Sequence, residues 1–185
     1  WIETDAVIKN GITGGAALEV GSGPGYLGLE WLRRTTGTTL TGLDISPDML
    51  TVARRNAEEY GLTGRVEYVE GNGAAMPFGD GSYDAVFSNG SLHEWSDVDR
   101  TLAEMWRVLK PNGRLFLSDL RRDVVAPVRW FMWVATRPKE IRPGLLTSFH
   151  AAYTAPEVDG FLRRSRFDSF AVSRDLMGVQ VAASR

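Results

Sequence analysis

Hydrophobic and polar positions along this chain switch repeatedly between a strand-like period of two and a helical period. Strand-length apolar runs fall at 17–20, 39–43, 66–69, 83–88 and 114–118, and helical segments follow most of them. Regular alternation of this kind predicts a mostly parallel sheet with helices on both faces and right-handed crossovers. Ligands of such sheets bind beyond the carboxyl ends of the strands.

Local signals mark the ends of the predicted helices. The first helix is expected at 26–34, directly after a glycine-rich turn. Ser46-Pro47-Asp48 supplies an N-cap hydroxyl, a proline and an acid, and predicts a helix that runs to about Tyr60 and stops at Gly61. Another helix is expected from 97 to 109 and closed by 110–113, and a last one from 154 to about 164.

The final third of the chain has a different pattern. Residues 124–136 are rich in Val, Trp, Phe and Met, but this run is too short and too interrupted by Pro127 and Arg129 to span a membrane. Two strand-like runs at 167–173 and 179–183 are separated by only five residues. This spacing predicts an antiparallel hairpin rather than another crossover.

The stretch 17–25, A-L-E-V-G-S-G-P-G, runs from a predicted strand into a turn with glycine at three alternate positions. Glycine is required where the backbone takes unusual dihedral angles or where a ligand approaches closely. Glu19 lies two residues before the first glycine. An acid at this position suits a ligand with a cationic group better than a pyrophosphate.

A second acid, Asp44, ends the second predicted strand, 23 residues after Gly21. A carboxylate at this place can accept hydrogen bonds from both ribose hydroxyls of a nucleoside. Together with Glu19 and the glycine turn, it predicts a site for a nucleoside that carries a cationic group.

These motifs resemble those of class I S-adenosylmethionine-dependent methyltransferases. The resemblance rests on E-V-G-S-G-P-G and G-L-D-I-S-P-D-M-L, and also on G-N-G-A-A-M-P-F, Y-D-A-V-F-S-N and M-W-R-V-L-K-P-N-G-R-L. It covers roughly 16–119 and continues more weakly into the terminal hairpin. It implies a Rossmann-like, doubly wound seven-stranded α/β sheet of order 3-2-1-4-5-7-6 with strand 7 antiparallel. The implied cofactor is S-adenosylmethionine, and the implied product is S-adenosylhomocysteine.

The resemblance also implies a role for each matching position. The methionine part of the cofactor would be held by Glu19, Gly21, Ser22, Gly23 and Gly25, and the ribose would be bound by Asp44. The adenine slot would be lined by Ile45 and Met49, and the adenine edge by Gly71, Asn72 and Gly73. The sulfonium end would be bordered by Ser88, Asn89 and Leu92. The family commonly has an aspartate where this chain has Asn72. An amide oxygen can still accept a hydrogen bond from the adenine amino group.

The candidate general base is His93, in the run N-G-S-L-H-E-W after the fourth strand. Histidine titrates near neutral pH, and methyl transfer sometimes requires a proton to be removed from the acceptor. The alternative is a histidine that only hydrogen-bonds the loop or the acceptor. Asp119, at the end of the fifth strand, either orients the acceptor or begins the next loop. No residues have metal-ligand spacing, so no metal is expected.

Composition limits the possible partners. The chain has 185 residues and a net charge of −2, which predicts a single domain over 1–185 without a basic field for nucleic acid. The run Ser88-Asn89-Gly90-Ser91 also differs from the Asp/Asn-Pro-Pro-aromatic motif of nucleic-acid amino methyltransferases. A small-molecule acceptor is therefore expected. The absence of cysteine fits a cytoplasmic protein, and no membrane span is expected.

A variable segment at about 121–153 contains the aromatic run Trp130-Phe131-Met132-Trp133, together with Pro138, Pro143 and Gly144. This segment is interpreted either as a lid over the acceptor or as a helix packed on the sheet or on a second subunit. Packing on a second subunit would make the protein a homo-oligomer.

A second hypothesis about function is a catalytically inactive cofactor-binding or partner subunit of the same fold. Asn72 and the short stretch before the first strand would favour it. A nicotinamide-dependent oxidoreductase is disfavoured, because the third glycine comes at position 25 and position 26 is Tyr.

Overall fold

The computed structural model describes residues 2–136 and 142–185, and its centre is a seven-stranded sheet of order β3-β2-β1-β4-β5-β7-β6. The strands are β1 Gly15–Val20, β2 Thr38–Asp44, β3 Val66–Glu70, β4 Tyr83–Asn89, β5 Leu109–Leu120, β6 Ser169–Arg174 and β7 Gly178–Ser184. β7 pairs antiparallel with both β5 and β6, and the four other neighbouring pairs are parallel. The predicted α/β fold class, strand order and terminal hairpin are confirmed.

Helices cover both faces of the sheet. They are α1 Ile2–Lys9, α2 Tyr26–Arg34, α3 Pro47–Glu59, α4 Val98–Val108, α5 Ala126–Ala135, α6 Arg142–Ala151 and α7 Ala155–Arg164, with a 3-10 turn at Leu92–Glu94. Neighbouring strand residues point to opposite faces. Ala17 accordingly joins a core with Trp31 of α2, whereas Leu18 joins a second core with Met105 of α4 and Leu162 of α7.

Capping contacts in the structure support the predicted starts of two helices. Ser46 accepts a hydrogen bond from the backbone N–H of Met49 at 3.3 Å, and Pro47 is the first residue of α3. Thr154 and Glu157 form a reciprocal capping box at the start of α7. These contacts are local, which is why the sequence alone indicates them.

The structure differs from the sequence expectation in three places. First, α4 ends at Val108, and β5 already begins at Leu109, which lies opposite Tyr83 on β4. Residues 110–113 therefore belong to the strand rather than to a turn, although its register shifts there and Asn112 has a φ of 64°. Second, α1 and α6 were not predicted. Third, β6 begins at Ser169, but Phe167 is still buried in the core.

The carboxyl ends of β1, β2, β4 and β5 lie at one edge of the sheet. The start of β7 lies at the same edge, because Gly178 pairs with Leu120 at the end of β5. Segments that leave these strands can therefore build one common site. In the described part of the chain, no helix has the length and apolar character needed to cross a membrane.

Candidate active site

A cleft of about 510 Å³ opens at the carboxyl ends of β1, β2 and β4. A smaller cavity of about 120 Å³ adjoins it on the side of the β3–β4 connection, and the two share Gly21, Asp44, Ile45, Ser91 and Glu94. The cleft also contains Glu19, Ser22, Gly23, Met49 and Asn89. The predicted cofactor residues from β1, β2 and β4 thus meet at one place.

The three glycines of the turn have positive φ angles but different surroundings. A Cβ on Gly21 would lie 2.5 Å from the Ser91 side chain, and one on Gly25 would lie 2.3 Å from the Tyr68 hydroxyl. A Cβ on Gly23, whose φ is 51°, would meet no atom within 4 Å. Gly21 and Gly25 are therefore required for packing, whereas Gly23 leaves space in the cleft.

Backbone N–H groups fix the carboxylate of Asp44. Its two oxygens accept hydrogen bonds from Gly23 at 2.7 Å and from Ser46 at 2.9 Å. Each carboxylate oxygen has two lone pairs, so both can accept a further bond from a ligand. The glycine turn and the start of α3 thus hold this acid at the entrance to the cleft.

Three buried polar atoms lie under the glycine turn: Glu19 Oε2, Ser22 Oγ and Tyr68 Oη. None has a hydrogen-bond partner among the described residues. Glu19 is 3% exposed, and its loss of contact with water raises its pKa to about 8. The Gly28 N–H partly offsets this rise, and the negative charge of Asp44 adds to it. A buried carboxyl oxygen without a hydrogen-bond donor is costly unless a ligand satisfies it.

The smaller cavity is lined by Asn72 and Gly73, together with Trp95 and Thr101. The Oδ1 atom of Asn72 accepts a hydrogen bond from the backbone N–H of Ala74 at 2.8 Å, and the residue is exposed. Asn72 therefore stabilises its own loop. Its Oδ1 atom already accepts one hydrogen bond from the protein before any ligand binds.

His93 and Asp119 form a close pair beside the cleft, outside its walls. His93 Nδ1 lies 2.9 Å from Asp119 Oδ1, and the backbone N–H of His93 donates to Asp119 Oδ2 at 2.9 Å. The side chains are 7% and 3% exposed. The hydrogen bond that the Asp119 carboxylate accepts from the ring raises the pKa of His93. The charges of Asp119 and Glu94 add to this rise, and burial opposes it. In the tautomer that donates from Nδ1 to Asp119, Nε2 is the ring nitrogen that can accept a proton.

Ser88 and Leu92, expected at the sulfonium end, do not line the cleft. Ser88 is 2% exposed, and its hydroxyl lies 2.6 Å from that of Ser91, while Leu92 packs in the core. Side chains of consecutive strand residues point in opposite directions, so Asn89 reaches the cleft and Ser88 does not. Gly25 does not line the cleft either.

The sequence reasoning missed several lining residues. Among them are Tyr26, Leu27, Gly90, Ser91, Glu94, Trp95, Ser96 and Thr101. Ser91 joins two elements, since its Oγ contacts the Val20 carbonyl at 3.2 Å and accepts from Trp95 Nε1 at 3.2 Å. The run N-G-S-L-H-E-W was the signal for Ser91 and Trp95. Within the described ranges, no cluster of acids and histidines could hold a metal ion.

A sequence model described as "Methyltransferase domain" matches residues 18–117, which cover both acids, the glycine turn and the end of β4. The chain belongs to this methyltransferase family. The resemblance to class I S-adenosylmethionine-dependent methyltransferases is thereby confirmed, and so is the expected class of cofactor.

Relatives of this methyltransferase domain are longer proteins. It is 40% identical over 102 residues to "Demethylmenaquinone methyltransferase" from Thermus thermophilus, covering 55% of this chain and 46% of that protein. It is 34% identical over 116 residues to "Ubiquinone/menaquinone biosynthesis C-methyltransferase UbiE" from Escherichia coli, covering 62% and 46%. The matched region thus spans about half the length of these relatives.

A solved structure supports the fold. The methyltransferase domain superposes on a SAM-dependent methyltransferase from Aquifex aeolicus with a TM-score of 0.76 at 22% identity, covering 98% of this chain and 89% of that chain. An identity this low supports the architecture alone.

Proposed function

We propose that this methyltransferase domain binds S-adenosylmethionine in the cleft and transfers its methyl group to a small-molecule acceptor. The observation that carries the proposal is the placement of Glu19 and Asp44 around Gly23. Glu19 is buried without a partner on Oε2, Asp44 is fixed by two N–H groups, and Gly23 leaves open space. The cofactor, when bound, supplies a methyl group activated on a sulfonium.

The residues of the cleft suit the separate parts of this cofactor. The free lone pairs of Asp44 suit two ribose hydroxyls, and the carboxylate of Glu19 suits an ammonium group. Ile45 and Met49 are 70% and 41% exposed, and thus offer apolar surface to a planar base. Asn72 and Gly73 line the adjoining cavity, where the adenine edge would lie.

The acceptor side is assigned to His93, Asp119 and the variable segment. The 3-10 turn that carries His93 packs against α6, and α6 contacts α5. We propose that His93 takes a proton from the acceptor and that Asp119 stabilises the protonated ring. The lid role of 121–153 stays a prediction, and residues 137–141, including Pro138, lie outside the described residues.

The names of the two relatives suggest which acceptors to try first. Both concern menaquinone or ubiquinone, and the second is a C-methyltransferase. Methylation of an aromatic carbon breaks the sulfonium C–S bond, forms a C–C bond and releases a ring proton to a base. A general base next to the cleft fits this reaction. The cytoplasmic location and a homo-oligomer stay predictions.

An acceptor screen that measures release of S-adenosylhomocysteine tests the proposed function. The expected result is turnover with at least one small aromatic acceptor, hydroquinones being the first class to test. Binding of S-adenosylhomocysteine without turnover on any acceptor would favour the inactive cofactor-binding protein instead.

Cofactor binding is expected to strengthen as the pH rises from about 6 to 8. The folded protein holds Glu19 protonated below its raised pKa of about 8, so an ammonium ligand must displace that proton. Calorimetry at pH 7 in buffers of different ionisation enthalpy should show release of up to one proton per S-adenosylhomocysteine bound.

The Glu19→Gln variant is the control for this effect. The amide keeps the shape of the side chain but carries no titrating proton, so proton release and the pH dependence over this range should both disappear. Equal proton release in wild type and variant would show that another group titrates.

A further inference from the structure

Helix α5 turns its apolar face to solvent. Pro127, Trp130, Phe131 and Val134 follow an i, i+3, i+4, i+7 spacing, so they share one side of the helix. All four are exposed, and Trp130 and Phe131 are 65% and 62% exposed. No residue of α5 is buried.

The other side of α5 does not provide an ordinary core contact either. Val128, Arg129 and Met132 lie there and are only half-buried. A surface helix normally buries its apolar stripe against the domain. Contiguous exposed apolar surface marks an interaction site. The aromatic face of α5 is therefore a candidate surface for an external partner.

Charge distinguishes between the possible partners. Residues 121–153 carry six basic and two acidic side chains, a net charge of +4, whereas the whole chain has −2 and the remainder therefore −6. Arg122 pairs with Glu157 of α7, so the segment keeps a net charge of +3 beyond that pair. Arg142 lies 4.5 Å above the ring of Trp133, so one cation lies directly beside the aromatic helix. A second copy of the chain would bring two positively charged segments together, which is repulsive. An anionic surface attracts the same segment.

We propose that α5 docks on an anionic lipid bilayer, with Trp130, Phe131 and Val134 among the headgroups and upper acyl chains. Trp and Phe on one side of a helix, with Arg nearby, are typical of helices that lie in the membrane interface. Basic residues add attraction to anionic lipids. α5 follows the carboxyl end of β5, and the cleft lies at the same edge of the sheet. Resting on the proposed function, docking would hold the cleft near an acceptor dissolved in the bilayer.

Sedimentation with vesicles of phosphatidylcholine, with and without phosphatidylglycerol, tests the proposal. The wild-type chain should bind the vesicles that contain phosphatidylglycerol and should not bind vesicles of pure phosphatidylcholine. Trp130→Ser should weaken binding roughly tenfold or more. Leu176→Ser is the matched control, because Leu176 is 66% exposed and lies at the same edge of the sheet, in the β6–β7 turn, but outside α5. If α5 makes the contact, this variant should bind like wild type.

Charge is tested separately. Arg129→Gln should weaken vesicle binding, whereas Arg55→Gln in α3, a side chain that is 67% exposed, should not. Equal binding to both vesicle types would overturn the proposal. So would equal losses in Trp130→Ser and Leu176→Ser, or no vesicle binding at all. Sedimentation equilibrium without vesicles would then show whether a second copy covers α5. None of these measurements depends on cofactor binding or turnover.

Discussion

Replacing His93 by Ala is expected to lower kcat about 10²- to 10⁴-fold, the range typical of a lost general base. The affinity for S-adenosylhomocysteine should stay unchanged, because His93 lies outside the walls of the cleft. The two effects, on kcat and on affinity, are separated by two measurements on the same samples. Turnover is measured with the acceptor found by the screen, and affinity is measured by calorimetry. A His93→Ala variant that keeps the wild-type kcat would contradict the assignment of His93 as the general base.

The Asp119→Asn variant tests how the pair works. Asp119 raises the pKa of His93 above its ordinary value of 6.5, and only the neutral ring can take a proton. The wild-type rate should therefore fall as the pH drops through a value above 6.5. In Asp119→Asn this fall should occur at lower pH, because the charge that favours the protonated ring is gone. An unshifted profile would show that Asp119 has no influence on the catalytic proton.

Replacing Gly23 by Val is expected to abolish cofactor binding while the sheet remains folded. A side chain at this position would extend into the open part of the cleft, where no protein atom lies within 4 Å of a Cβ. Calorimetry with S-adenosylhomocysteine and circular dichroism measure the two properties.

Gly37→Val is the control for backbone strain. Gly37 has a φ of 65° and equally open surroundings, but it lies in the loop before β2, away from the cleft. Both variants should lose a similar amount of stability, and only Gly23→Val should lose binding. If Gly23→Val folds and binds normally, the glycine serves the turn alone.

The sequence was most informative where local chemistry decides the structure. The caps at Ser46 and Thr154 are made by residues within three positions of each other. Glu19 and Asp44 could be assigned to one site because both lie at or near the carboxyl ends of neighbouring parallel strands. The order of the strands came from the resemblance and not from periodicity.

Long-range packing explains what the sequence did not show. Thr101 reaches the smaller cavity because α4 packs near the end of β1, which no local pattern indicates. Helix α6 was missed because its apolar residues do not form a regular stripe and because Pro143 and Gly144 fall in its first turn. The engagement of the Asn72 amide by Ala74 likewise follows from a turn that residue identity alone does not fix.

Calorimetric titration with S-adenosylhomocysteine tests the central claim most directly, using wild type, Asp44→Ala and Asp48→Ala. The wild type should bind one equivalent. Asp44→Ala should bind more weakly by about 1.5–3 kcal/mol, because two ribose hydroxyls lose a charged acceptor. Asp48→Ala should match wild type, since Asp48 is exposed and does not line the cleft. Unchanged affinity in Asp44→Ala, or binding of NADH in place of S-adenosylhomocysteine, would contradict the account.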